Sequence, residues 1–149
     1  MIRHHLWKAF ILAGVSALII SGCAGRCVDC GKTIKVTTLD GVQFDFNKAV
    51  IKKAGRKALD EDVKLLKSNK SLDISIEGHC DIVGTDIYNQ RLSERRATVV
   101  YDYFLKNGIK ASRMRTVGYG RTKPLVPNDS AANRAKNRRV EIHIIKARP

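Results

Sequence analysis

A strand-like segment followed by a long amphipathic helix constrains the fold of this chain more than any other feature. Residues 72–77 read LDISIE, in which apolar and polar residues alternate as in a strand with one buried face. After a short loop, residues 86–106 carry apolar side chains at helical spacing. Thr85 is placed to cap this helix, and Asn107-Gly108 is a stop signal. The two segments predict a sheet strand followed by a helix that packs back onto the sheet.

The other expected elements are short and follow the same patterns. Strands are expected at residues 34–39, 42–46, 115–119 and 139–145, a helix at 54–68, and short helical turns at 112–115 and 131–136. Asp40-Gly41 predicts a hairpin turn between the first two strands. The alternation of Val42, Phe44 and Phe46 predicts one buried face. The element order predicts an α+β domain, a single sheet with helices packed on one face.

Two polar side chains fall on the apolar side of the long helix. At 100° per residue, Asn89 and Arg96 lie within about 20° of each other in the middle of the apolar arc. An arginine directed inward needs partners, because an uncompensated buried charge is costly. Asp81, in the loop before the helix, is the nearest acid on that side. Two interpretations stay open: Asp81 and Arg96 form a structural ion pair, or they flank a cleft and hold a ligand with both an ammonium and a carboxylate.

The first 22 residues have the pattern of a secretory signal. Two basic residues precede an apolar run at residues 9–20, which is shorter than the ~20 residues needed to span a bilayer. The segment resembles bacterial lipoprotein signals, in which the cysteine after the signal, here Cys23, is lipidated and anchors the protein. The alternative is an ordinary signal with an incidental cysteine. We therefore expect a signal peptide at 1–22, a lipidated short linker at 23–33 and one domain at 34–149.

The chain that remains after the signal is basic. It holds 26 basic and 14 acidic residues, a net charge of +12. Residues 110–149 contain eleven Lys or Arg against two acids. Such a surface indicates either a polyanionic neighbour or a solvated basic face that keeps the protein soluble. Export argues against nucleic acid.

The cysteines divide by position. Cys27 and Cys30 form a CxxC close to the lipidation candidate, and in an exported protein we expect them to pair with each other. Zinc would need two more ligands nearby, so no metal is expected. Cys80 is expected to be a small buried residue at a strand end.

A long ordered motif gives the family resemblance. It consists of Gly78-His79-x-Asp81, Gly84, Asn89, Leu92-Ser93, Arg96-Ala97 and Asn137-Arg138-Arg139-Val140-Glu141. These residues resemble the OmpA-like C-terminal domain, and within it the peptidoglycan-associated lipoprotein (Pal) branch, over residues 34–145. The resemblance implies a single mixed sheet in the order β-α-β-α-β-β. It also implies non-covalent binding of peptidoglycan through the meso-diaminopimelate of the stem peptide.

The resemblance also assigns the binding residues. The acid and the arginine that hold diaminopimelate in the family match Asp81 and Arg96. Asn47 and Asn89 match positions that line the same pocket, and Arg138 is a weaker candidate. Cys80 departs from the family pattern, as does the apolar Ile82-Val83 that follows Asp81, but neither removes a ligand group.

The resemblance implies a lipid-anchored tether between the outer membrane and the cell wall, facing the periplasm, with proteins of the Tol system as further partners. The alternatives are a polyanion-binding envelope lipoprotein and an accessory wall anchor of a secretion or motility machine. A wall-cleaving enzyme is disfavoured because the adjacent His79 and Cys80 would point to opposite faces of a strand. No catalytic residue or cofactor is expected.

Overall fold

The structure is a computed structural model that describes residues 39–147. The expected signal, Cys23, Cys27, Cys30 and nearly all of the first expected strand lie outside the described residues. The elements in chain order are β1 (Leu39–Gln43), α1 (Lys53–Ser68), β2 (Leu72–Gly78), α2 (Asp86–Lys106), a 3₁₀ turn (Ala111–Arg113), β3 (Met114–Gly118), α3 (Ala131–Asn137) and β4 (Arg139–Ala147). No helix among the described residues is long and apolar enough to cross a bilayer.

The four strands form one mixed sheet in the order β1-β4-β2-β3. β2 pairs in parallel with β3, while β4 lies antiparallel to both β1 and β2. Consequently β1, β2 and β3 all run toward the same end of the domain, and α1 and α2 return in the opposite direction. The predicted single mixed sheet is confirmed, with α3 inserted between the last two strands.

The core lies between one face of the sheet and the apolar sides of α1 and α2. The alternating strand residues and the helix residues predicted to face inward are buried together: Val42, Leu59, Val63, Leu66, Leu72, Ile74, Ile76, Val100, Phe104, Val140 and Ile142. Burying each large side chain contributes about 1.5–3 kcal/mol. Helix α2 begins and ends where the sequence predicts, because the Tyr88 N–H donates to the Thr85 hydroxyl at 3.3 Å and Gly108 adopts φ 84° after the last turn.

Two expectations at the start of the domain are wrong. Asp40-Gly41 is not a hairpin turn: both residues lie inside β1, whose pairing with β4 shifts register between Leu39 and Val42. A glycine in such an irregularity is a recognised feature of strand bulges. The second wrong expectation is the strand at 42–46 with Phe46 on its buried face. β1 ends at Gln43 and the chain turns away from the sheet, so Phe46 is 58% exposed.

A glycine at the end of β2 brings α2 close to the sheet. A Cβ at Gly78 would lie 2.0 Å from the backbone carbonyl oxygen of Ser93, so no larger residue fits there without moving the helix. This close approach places the first half of α2 directly over the loop that follows β2. Arg96 is therefore directed at the end of the sheet, where the candidate site lies.

Candidate functional site

One cavity at the end of the sheet brings together every predicted pocket residue. It has a volume of about 210 Å³ and lies where β2 ends, between the loop after β1 and the start of α2. Its lining includes all five sequence candidates, Asn47, Asp81, Asn89, Arg96 and Arg138. These residues come from four separate segments of the chain, so the cavity exists only in the folded domain.

Arg96 is fully buried and holds two loops against each other. Its Nε donates to the Lys48 carbonyl at 3.0 Å, and Nη2 donates to the Asp45 carbonyl at 3.1 Å. Nη1 donates to the His79 carbonyl at 2.9 Å and contacts the Cys80 sulfur at 3.3 Å. These contacts use four of the five guanidinium N–H groups. Arg96 therefore faces inward as predicted, but its main partners are backbone carbonyls.

The loop after β1 is shaped to supply those carbonyls. Asn47 has φ 57°, the only positive φ at a non-glycine residue among those described. Asparagine tolerates this left-handed conformation better than most residues. The Lys48 N–H closes the turn on the Asp45 carbonyl at 3.2 Å. The turn leaves the Asp45 and Lys48 carbonyls directed at Arg96.

Asp81 pairs with Arg138 and not with Arg96. Its Oδ2 accepts from Arg138 Nη1 at 2.9 Å, and its Oδ1 accepts the Val83 N–H at 3.1 Å. No ion pair or hydrogen bond joins Asp81 to Arg96 within residues 39–147. The structural ion pair considered from the sequence is thus absent here, and Arg138, the weaker candidate, takes the place expected of Arg96.

Asn89 fixes the loop that carries Asp81. Its Nδ2 donates to the Val83 carbonyl at 3.1 Å, so its amide is partly committed to the loop. Gly84 has φ 104°, a conformation that side chains rarely adopt, and this allows the chain to turn into the cap of α2. Asn89 is therefore both a cavity residue and a support for the Asp81 loop.

Burial governs the chemistry of Cys80 and His79. Burial raises the pKa of the Cys80 thiol, against the opposing effect of Arg96, so the thiol stays protonated at neutral pH. Burial, with the positive charge of Arg139, lowers the pKa of His79 to about 4. Cys80 lines the cavity, whereas the His79 ring packs 5.5 Å from the ring of Tyr119. Within the described residues, no group of three or more potential metal ligands exists.

The arrangement suits a small ligand that carries both charges. Asp81 offers carboxylate oxygens to an ammonium, and the two guanidinium groups offer N–H donors to a carboxylate. An apolar rim of Phe46, Val83 and Tyr88, which was not predicted from the sequence, also lines the cavity. The departure at Ile82-Val83 was the available signal for this rim, since Val83 is 45% exposed at the cavity mouth.

Comparison with known proteins identifies the family. The OmpA family model matches residues 43–138, which contain all five candidate residues. The chain belongs to the OmpA family.

Curated relatives agree with this assignment. The chain is 39% identical over 122 residues to outer membrane porin F of Pseudomonas aeruginosa, covering 81% of this chain and 34% of porin F. It is 36% identical over 112 residues to the probable lipoprotein YiaD of Escherichia coli, covering 75% of this chain and 51% of YiaD. The chain thus spans between about a third and a half of these curated relatives.

Solved structures share the fold. The peptidoglycan-associated lipoprotein from Burkholderia pseudomallei superposes with a TM-score of 0.68 at 30% identity, covering 70% of this chain and 89% of that one. The C-terminal domain of Helicobacter pylori MotB gives a TM-score of 0.65 at 28% identity, covering 69% of this chain and 81% of that one.

Proposed function

We propose that this OmpA-family chain is an outer-membrane lipoprotein that binds peptidoglycan non-covalently and so tethers the membrane to the cell wall. The ligand at the cavity is the meso-diaminopimelate of the stem peptide, and the domain faces the periplasm. The single observation that carries the proposal is the cavity itself, in which Asp81 and two arginines lie together while Asp81 and Arg96 are not closed on each other.

The roles follow from the hydrogen bonds already in use. Asp81 accepts the ligand ammonium, since both of its oxygens have lone pairs beyond their single protein contacts. Arg96 keeps one N–H for the ligand carboxylate. Arg138 contributes more, because its side chain is partly exposed and its Nη2 makes no hydrogen bond or ion pair among the described residues. Asn47 and Asn89 orient the ligand from the two sides.

The expected affinity of a single site is modest. Each charge-assisted contact contributes about 1.5–3 kcal/mol, and ordering the ligand offsets part of that. A membrane-anchored protein facing a repeating polymer gains from avidity, because a second contact forms at high effective concentration. Attachment to the wall therefore depends on weak sites held close to the polymer and does not require one tight site.

Sedimentation with purified sacculi tests the binding site. Asp81→Asn and Arg138→Gln should each reduce the bound fraction strongly. Asp86→Asn and Arg95→Gln are matched controls. Asp86 is exposed and pairs with Arg121 outside the cavity, and Arg95 lies on the solvent side of α2. Equal binding by parent, site variants and controls would reject the pocket assignment.

The membrane anchor rests on the sequence around Cys23, which lies outside the described residues. Metabolic labelling with radioactive palmitate should label the parent and not Cys23→Ser. Labelling of both, or of neither, would overturn lipidation at this residue without touching the wall-binding proposal. The CxxC disulfide and partners among Tol proteins stay predictions.

A polyanion-binding lipoprotein is the competing function, favoured by the basic charge of the chain. Polyanion binding driven by lysines falls steeply as salt rises, whereas recognition through a buried cavity is screened less. Binding to sacculi that persists at high salt and is lost in Asp81→Asn supports the proposed function; the opposite pattern supports the competitor. The same cavity would serve an accessory wall anchor in a larger assembly. Turnover of purified peptidoglycan would instead indicate an enzyme.

A further inference from the structure

Two turns without acidic residues lie at the end of the domain opposite the cavity, and the acid Asp73 follows the first of them in β2. Residues 66–72 cover the last turn of α1, the connection to β2 and the first residue of β2; residues 105–113 cover the end of α2 and the connection to β3. Neither segment contains Asp or Glu, and together they hold five basic residues, Lys67, Lys70, Lys106, Lys110 and Arg113. Between the turns lies a cavity of about 360 Å³. We call this cavity the basic groove, and its lysines are Lys67, Lys70 and Lys110.

Arg113 makes the basic groove rigid and leaves the lysines available. Its buried guanidinium donates to the carbonyls of Leu66 at 2.9 Å, Asn69 at 2.8 Å and Leu72 at 2.8 Å, tying one turn to the other. Arg113 therefore binds backbone carbonyls with all three of its guanidinium nitrogens. The three groove lysines are exposed, and none makes an ion pair within the described part of the chain.

The net field at the groove favours an anion. The C-terminal ends of α1 and α2 both point to this end, and each carries the equivalent of about −0.5 charge. The three ammonium groups and the Arg113 guanidinium outweigh these two helix ends and the nearby carboxylate of Asp73 by roughly two unit charges. Lysine is a common phosphate ligand that acts as a point charge, and several lysines on one rigid surface suit an array of phosphates.

The position of the groove selects a membrane as the source of those phosphates. β1 runs toward the end of the domain that holds the candidate site, so its first residue lies at the end that holds the basic groove. The proposed anchor at Cys23 is sixteen residues before Leu39 in sequence, a reach of at most about 55 Å. We infer that the basic groove binds the phosphate headgroups of anionic phospholipid in the membrane that holds the anchor. The choice of membrane rests on the proposed function.

This contact would set the distance between membrane and wall. Helix α2 runs the full length from the cavity to the groove, and its 21 residues span about 31 Å at 1.5 Å per residue. With the basic groove on the lipid surface, the diaminopimelate cavity points away from the membrane at roughly that height. The domain then acts as a spacer of fixed length, independently of the linker.

Lysine acetylation followed by mass spectrometry tests the inference on the full chain. The protein is mixed with vesicles of phosphatidylcholine alone or with about 30% phosphatidylglycerol. In anionic vesicles the acetylation of Lys67, Lys70 and Lys110 should slow about threefold to fivefold and recover at high salt. The matched controls are Lys53, Lys57 and Lys136, exposed lysines at the opposite end, which should change little. Equal slowing of all six lysines, or no slowing, overturns the inference.

Two further arms separate the possible explanations. Lys106, in the same 105–113 segment, should also be protected by anionic vesicles in the parent. It should lose this protection in a Lys67→Gln/Lys70→Gln/Lys110→Gln variant and keep it in a Lys53→Gln/Lys57→Gln/Lys136→Gln variant of equal charge. Inorganic phosphate in place of vesicles should protect none of the lysines; selective protection by it would identify a small-anion site and reject the membrane contact. Both triple variants should bind sacculi like the parent, so loss of the membrane contact can be told apart from loss of wall binding.

Discussion

Each end of this domain contains a buried arginine bonded to backbone carbonyls, and the two ends differ in the groups around that arginine. At each end a buried arginine binds three backbone carbonyls that are distant from it in sequence: Arg96 at the cavity and Arg113 at the basic groove. Arg113 is surrounded by backbone and lysines. Both arginines line a cavity, but Arg96 lies beside the acid Asp81 and beside Arg138. A buried arginine beside a cavity is therefore not itself evidence of a site for a ligand with both charges; the neighbouring acid is.

Removing either arginine tests this comparison with the largest expected effect. Arg96→Met and Arg113→Met should each lower the free energy of unfolding by about 3–5 kcal/mol, because three buried carbonyls lose a charged donor. Urea unfolding measures the loss. Folded Arg113→Met should still bind sacculi, and folded Arg96→Met should bind less. Equal wall binding by both folded variants would remove Arg96 from the ligand site.

Asp81→Asn should separate binding from stability. The amide keeps the size of the side chain and an acceptor for the Val83 N–H, but it cannot neutralise an ammonium. We expect the affinity for a diaminopimelate stem peptide to fall about tenfold to a hundredfold. The urea concentration at the unfolding midpoint should change little. Calorimetric titration measures the first quantity. An unchanged affinity would show that the Asp81–Arg138 pair is purely structural.

Acidification should weaken the end of the sheet that carries His79. Its pKa is about 4 in the folded protein because of burial, against about 6.5 in the unfolded chain. The unfolded state therefore takes up the proton first, and stability falls as pH drops from about 6.5 toward 4. The contribution at pH 5 is about 2 kcal/mol relative to pH 7. His79→Gln should flatten this part of the pH profile in urea unfolding, and an unchanged profile would contradict it.

Asn47 should show the smallest effect. Its φ of 57° costs asparagine little and alanine about 1 kcal/mol more, while glycine adopts it freely. Asn47→Ala should therefore be less stable than Asn47→Gly in thermal unfolding. If the side chain contacts the ligand, both variants should bind stem peptide equally weakly. Parent-like affinity in Asn47→Gly would limit its role to shaping the loop.

Local signals predicted the parts of the fold that local chemistry decides. Thr85 and Asn107-Gly108 gave the ends of α2, and helical periodicity gave the inward direction of Arg96 and Asn89. The Asp40-Gly41 turn was wrong because pairing with β4, about a hundred residues later in the chain, keeps these residues in a strand. Local turn preference cannot register such a partner.

The hydrogen-bond and ion-pair partners within the site could not be predicted from the sequence for the same reason. Arg96 bonds to carbonyls about fifty residues away, and every residue has a carbonyl, so no side-chain pattern marks them. Asp81 and Arg138 are 57 positions apart. The family resemblance supplied the five residues, but only the folded chain shows that Asp81 meets Arg138 while Arg96 meets backbone.

Binding of a stem peptide, followed by NMR, tests the central claim most directly. The ¹⁵N-labelled protein is titrated with a diaminopimelate-containing stem peptide and, separately, with the same peptide carrying lysine, which lacks the second carboxylate. We predict saturable shifts at the amides of Asn47, Asp81, Val83 and Asn89 with the first peptide and much weaker binding of the second. Equal binding of the two peptides, or shifts that avoid the cavity, would contradict the account.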